Sequence, residues 1–148
     1  MAVLGVRASA MVQASGQPAV RQVPAPAGPV VLRAVDPCPI DSRIGEFWVR
    51  PLIACEAHVW RVPGGAAKAL AVARCESRFL VQAMNPTGCG GSGCSGLFQQ
   101  SLRYWSGRAA EYGFAGVPPT DVRANVVVSM RMAAEKGTWA DDWPVCGR

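Results

Sequence analysis

The chain holds a single histidine, His58, and none of its cysteines stands in a CxxC pair. Zinc and dithiol redox sites draw on such residues at short fixed spacings, so a Cys/His metal centre is poorly supplied. No run of about twenty apolar residues occurs, which excludes a transmembrane helix. There is no Lys/Arg block of the nucleic-acid-binding kind. The Gly-rich segment lacks the GK[ST] ending of a P-loop and the strand-GxGxxG-helix setting of a dinucleotide site. No internal repeat is visible.

What is present bounds the molecule further. Its 148 residues suffice for one domain with one core and one cleft. Fifteen Lys and Arg against ten Asp and Glu make the chain basic. Dispersed charge of this kind suits a soluble protein, or attraction to an anionic polymer such as a cell wall, which salt would screen. Six cysteines, at 38, 55, 75, 89, 94 and 146, form an even set and predict three disulfides and an oxidising compartment. Residues 1–20, MAVLGVRASAMVQASGQPAV, carry one arginine and small-residue sites such as ASA and VQA. Their apolar stretch is short and interrupted, so they make a weak export signal.

Residues 15–35 are rich in Pro, Gly and Ala and have no helical period, so residues 1–36 are predicted to be a flexible N-terminal segment and linker. The folded domain is expected over 37–148, with a lead-in at 37–63. Between Ile40 and Trp60 aromatics mix with charges around Pro51, which reads as an irregular or helical stretch whose Cys38 and Cys55 can close on each other. Pro63, Gly64 and Gly65 mark a turn. The run AAKALAVARCESRFL then predicts a helix over about 66–80. NPTGCGGSGCSG, residues 85–96, is a loop in which a Cys89–Cys94 bridge can replace packing that glycines lack. A helix from about Ser101 to Tyr112 follows, stopped by Gly113. Thr120 reads as the N-cap of DVRANVVVSMRMAAEK, with Gly137 beyond its end and Val122, Val126, Met130 and Ala133 on one face.

Glu76 is the anomaly in this pattern. Its expected helical neighbours Val72, Ala73, Phe79 and Leu80 are apolar, and Arg74 at i−2 points away. Desolvation and the negative end of the helix both disfavour the carboxylate and raise its pKa. A carboxylic acid that keeps its proton near neutral pH suits a general acid. The alternative is a rim residue, solvated or paired with an arginine from elsewhere.

CES at 75–77, GLFQ at 96–99 and Trp105, taken in order, resemble the lysozyme-like superfamily of peptidoglycan-cleaving domains. The soluble lytic transglycosylase and resuscitation-promoting-factor domains are the most similar in pattern. The terminal Trp139, Trp143 and Cys146 extend the likeness over about residues 64–148. The Ala-Tyr-Asn-Ala-Gly segment of many transglycosylases is absent, and Tyr104 and Tyr112 lie too early to replace it.

The resemblance implies a mainly α, lysozyme-like α+β domain with a Gly-rich, disulfide-closed loop and little β structure. It makes Glu76 the catalytic acid and then base, with Ser77 orienting it and Gln99 bonding sugar or water through its amide. Phe98 and Trp105 would shape the cleft or belong to the core, and Asn125 would face the cleft or be a satisfied buried amide. It also pairs Cys75 with Cys146, and implies no metal or cofactor. The substrate would be the bond between N-acetylmuramic acid and N-acetylglucosamine in peptidoglycan, met by a secreted or wall-associated monomer, or by a phage virion protein. Because no acidic residue follows directly on the motif, a one-carboxylate transglycosylase mechanism is favoured over a hydrolytic muramidase using the same Glu76. A glycan-binding or structural virion protein that does not cut is the non-enzymatic alternative.

Overall fold

A computed structural model of the chain describes residues 37–40 and 46–148. The expected flexible segment, 1–36, lies outside the described residues, as does part of the lead-in. The described part is mainly helical. A 3-10 turn, Glu46–Trp48, runs into α1, Val49–Val59. Then come α2, Gly65–Ser77, a small sheet of three two-residue strands, α3, Leu102–Glu111, and α4, Val122–Lys136.

Helix α1 is more regular than the sequence suggested. Pro51 falls in its first turn, where the missing N–H has no intrahelical partner in any case, so the ring does not break the helix. Leu52, Ile53 and Ala57 point into the core and pack on α2 and α4. Glu56 is buried on this face at 2 % exposure, a cost met by partners. It accepts from Trp60 Nε1 at 3.0 Å and pairs with Arg123 Nη1 at 3.4 Å. Arg123 also donates to the Cys38 and Ile40 carbonyls at 2.9 and 2.5 Å, holding the lead-in against α4.

Helix α4 runs through the centre. Ala124 to Met130 are all buried, more than the one face its sequence suggested. Its N-cap is Asp121 rather than Thr120: the carboxylate accepts from Ala124 N at 2.9 Å, and Gly137 ends the helix at φ 68°. Against α4 sits an aromatic cluster of Phe98, Trp139 and Trp143, with ring centroids 5.2–6.0 Å apart. Each buried indole N–H finds a carbonyl: Trp139 to Pro63, Trp143 to Phe98 and Trp105 to Val117.

The strands β1, Met84–Asn85, β2, Cys94–Ser95, and β3, Gln100–Ser101, pair antiparallel in that order. Asn85 lies opposite Cys94, and Cys94 opposite Ser101. The disulfides are Cys38–Cys55, Cys75–Cys146 and Cys89–Cys94, the pairs expected from the sequence. The second spans 71 positions and ties the end of α2 to the C-terminus.

Candidate active site

Helix α2 is shorter than its sequence suggested. It stops at Ser77 because Arg78 and Phe79 both take left-handed backbone, at φ 56° and 68°. Phe79 and Leu80 therefore leave the helical face of Glu76, which becomes the penultimate residue of the helix. Val72 and Ala73, one turn back, are fully buried.

Glu76 is half-buried on the wall of a cleft of about 580 Å³. No described residue hydrogen-bonds to its carboxylate or forms an ion pair with it. Burial raises its pKa above the ordinary 4.5, because the charged form loses water without gaining a partner. Next to it, Cys75 is bonded to Cys146, and Cys146 also lines the cleft. The acid is therefore placed by a helix end and clamped by a covalent bond one residue away.

The GLFQ segment forms the second part of the site through a tight turn. Gly96 has φ 80°, and a Cβ there would lie 2.1 Å from the Pro119 carbonyl and 2.4 Å from Asn125 Nδ2, so only glycine fits. Gly96 N donates to Ala83 O at 2.9 Å, and Gln99 N to Gly96 O at 3.1 Å. Leu97 and Phe98 turn into the core, fully buried. Gln99, at φ 45°, turns back to the cleft, strain of the kind that collects at working sites. Its Nε2 donates to the Gly96 and Ala83 carbonyls at 3.0 and 3.3 Å. The amide is thus held by its donor end, and Oε1 accepts from no described residue.

Of the residues the sequence put at the site, Glu76 and Gln99 share the cleft; the other four do not line it. Ser77 is buried, and its hydroxyl donates to Ala73 O at 3.2 Å in its own helix. Phe98 and Trp105 are core aromatics. Asn125 is a satisfied buried amide: its Oδ1 accepts from Phe98 N at 2.9 Å, and its Nδ2 donates to the Pro119 carbonyl at 2.8 Å and to the Ser95 carbonyl at 3.4 Å. Its work is to hold the GLFQ turn on α4, one step removed from the cleft.

The cleft also contains residues that sequence reasoning passed over. Tyr104 and Arg108 come from α3, and Asp141 and Asp142 from the C-terminal segment. Arg108 donates from Nη1 to Gln100 Oε1 at 2.8 Å and from Nη2 to Asp142 Oδ1 at 2.9 Å. Lys136 Nζ lies 2.6 Å from the other Asp142 oxygen. Asp141 is exposed and forms no ion pair among the described residues. The i, i+4 spacing of Tyr104 and Arg108 was a readable signal for a shared face of α3. No local signal linked residues 141 and 142 to Glu76.

No family model, curated protein or solved structure matches the chain. Among the described residues no group of three His, Cys, Asp or Glu is placed to hold a metal ion. No helix among them is long and apolar enough to cross a membrane. The chemistry available is that of one carboxylic acid with a raised pKa and no partner among the described residues, sharing its cleft with a fixed amide and a solvated carboxylate.

Proposed function

We propose that the protein cleaves the β-1,4 bond between N-acetylmuramic acid and N-acetylglucosamine in peptidoglycan, as a lytic transglycosylase with Glu76 as its acid and base. The observation that carries this is Glu76 itself, half-buried on a cleft wall without a partner among the described residues and with its pKa raised by burial. An unpaired carboxyl in such a setting is unfavourable for stability and suited to donating a proton. Glu76 protonates the glycosidic oxygen as the C–O bond breaks, and the N-acetyl group of the muramic residue stabilises the oxocarbenium-like centre. The glutamate then takes the proton of the muramic C6 hydroxyl while its oxygen bonds to C1, giving a 1,6-anhydro end and restoring the acid. Gln99, its donor end already engaged, offers Oε1 to a sugar hydroxyl or N–H. Three disulfides suit work outside the cell, as a secreted or wall-associated enzyme.

Digestion of purified peptidoglycan, with mass spectrometry of the products, tests this. Anhydro ends are expected, and Glu76→Gln should lower the rate by at least about 100-fold, the scale of a lost general acid. Equal rates for the two proteins would sink the assignment.

Asp141 supports a second reading, hydrolysis by the same Glu76. Inverting and retaining glycosidases use a second carboxylate, and Asp141 is a solvated one on the same cleft. If it activates water, the products carry reducing ends and Asp141→Asn abolishes them. Under the transglycosylase mechanism Asp141→Asn leaves anhydro products forming within a few-fold of the original rate.

A further inference from the structure

Four of the described aromatic rings are withdrawn from water. Trp105, Trp139 and Trp143 are at most 5 % exposed, and Phe98 is fully buried. Tyr104 differs: it lines the cleft and is 53 % exposed. No described residue bonds to its hydroxyl. An apolar ring left in solvent on a cleft wall is stabilised when a ligand's apolar face covers it.

Arg108, one helical turn on, has its guanidinium carbon 5.5 Å from the Tyr104 ring centroid. The guanidinium is held from behind. Gln100 Oε1 accepts from it at 2.8 Å, Gln100 Nε2 donates to Ser129 Oγ at 2.8 Å, and that hydroxyl donates to Asn125 O at 2.7 Å. A chain of bonds anchored on α4 therefore sets the rotamer before any ligand arrives. Asp142 does not cancel the charge, because Lys136 shares the same carboxylate. Two cations on one anion leave one positive charge unmatched, and the guanidinium keeps further N–H donors beyond the two it has engaged. Arg103, also 5.5 Å from the Tyr104 ring, adds to the positive potential. Asp141 opposes it, but is exposed and screened by water.

We propose that Tyr104 and Arg108 form a saccharide subsite on the cleft, in which the ring stacks on the apolar face of a sugar and the guanidinium binds the carboxylate of an acidic one. This rests on reading the cleft as a glycan site, and it adds a preference for carboxylate-bearing strands over neutral ones. One sugar residue is large enough to meet both side chains at once.

The test uses Glu76→Gln as the parent, so that bound strands stay intact, and three probes: chitohexaose, peptide-free peptidoglycan strands with free lactyl carboxylates, and the same strands after amidation. Calorimetry should show Tyr104→Ala weakening all three by about tenfold. Amidation should weaken the parent by about tenfold and leave Arg108→Gln indifferent. Affinity unchanged by Tyr104→Ala overturns the platform, and equal affinity of the parent for free and amidated strands overturns the carboxylate contact. If Arg108→Gln fails to fold, a salt titration of the parent decides: binding of the free-carboxylate strands must weaken more steeply than binding of the amidated ones, and parallel curves refute the contact. Peptidoglycan turnover by the protein with Glu76 intact separates the two readings. Tyr104-dependent binding without any turnover would reject the cleavage activity and keep the subsite. Turnover with Tyr104-independent binding would do the reverse.

Discussion

Glu76 makes a pH-dependent contribution whose sign follows from its setting. Burial raises its folded-state pKa above the ordinary 4.5, so above that value the folded protein holds more of this proton than the unfolded chain does. The stability this proton contributes is fully present below about pH 4.5 and is lost as pH rises through the folded value. Glu76→Gln should therefore melt at a higher temperature than the unsubstituted protein at pH 7, with the gap closing toward pH 4. Melting curves that coincide at both pH values would show that the carboxyl is not desolvated. The same residue should cost activity and gain stability on substitution, a combination that a structural glutamate such as Glu56 would not give. Asn125 should behave in the opposite way. Asn125→Ala strips the partner from the buried Phe98 N–H and the Pro119 carbonyl, and should destabilise by about 2–3 kcal/mol in chemical denaturation.

At the level of helices and turns, boundaries rather than identities separate expectation from structure. All three helices named from the sequence exist, since runs of helix formers between Gly and Pro signals are local properties of the chain. Their ends moved where local choices were nearly balanced. Arg78 is a good helix former by propensity and Phe79 a middling one, yet both adopt left-handed backbone and end α2 just after the Cys75 bridge to Cys146. Asp121 displaced Thr120 as the cap of α4, two adjacent residues that both suit the role. Asp121→Ala is expected to cost about 1 kcal/mol, measured as a shift in denaturation midpoint with little change in m-value. Pro51 was a break by residue type and a first-turn residue by position. The GLFQ turn shows the same limit: four consecutive residues divide between core and cleft, and the division follows from the left-handed φ values at Gly96 and Gln99.

Across the whole molecule, the long-range ties decide what the cleft contains. The Cys75–Cys146 bond closes a loop of 71 positions, for which chain entropy sets a stabilisation of roughly 4 kcal/mol. Replacing both cysteines with serine should lower the denaturation midpoint accordingly. It should also reduce the proposed peptidoglycan turnover at temperatures where the variant remains folded, because the bond adjoins Glu76 and its partner cysteine forms part of the cleft. Full turnover in a folded, bridge-free variant would show that α2 places the acid unaided. The C-terminal segment brings Asp141 and Asp142 to the cleft through the packing of Trp139 and Trp143 on Phe98.

The order of residues along the chain was enough to locate α2, α3, α4 and the anomalous Glu76, because propensity, capping and a charge on an apolar helix are legible within a few turns; the Cys75–Cys146 pair, 71 positions apart, came only with the family resemblance. It was not enough to sort Ser77, Phe98, Trp105 and Asn125 from the working surface. A polar or aromatic side chain near a motif looks the same whether it faces a ligand or the interior, and the sorting depends on which neighbours the fold brings to it. Nor did it reveal Tyr104, Arg108, Asp141 and Asp142 as companions of Glu76. Those residues lie 28 to 66 positions away, and only the packing of α3, α4 and the tryptophan-rich terminus gathers them into one cleft.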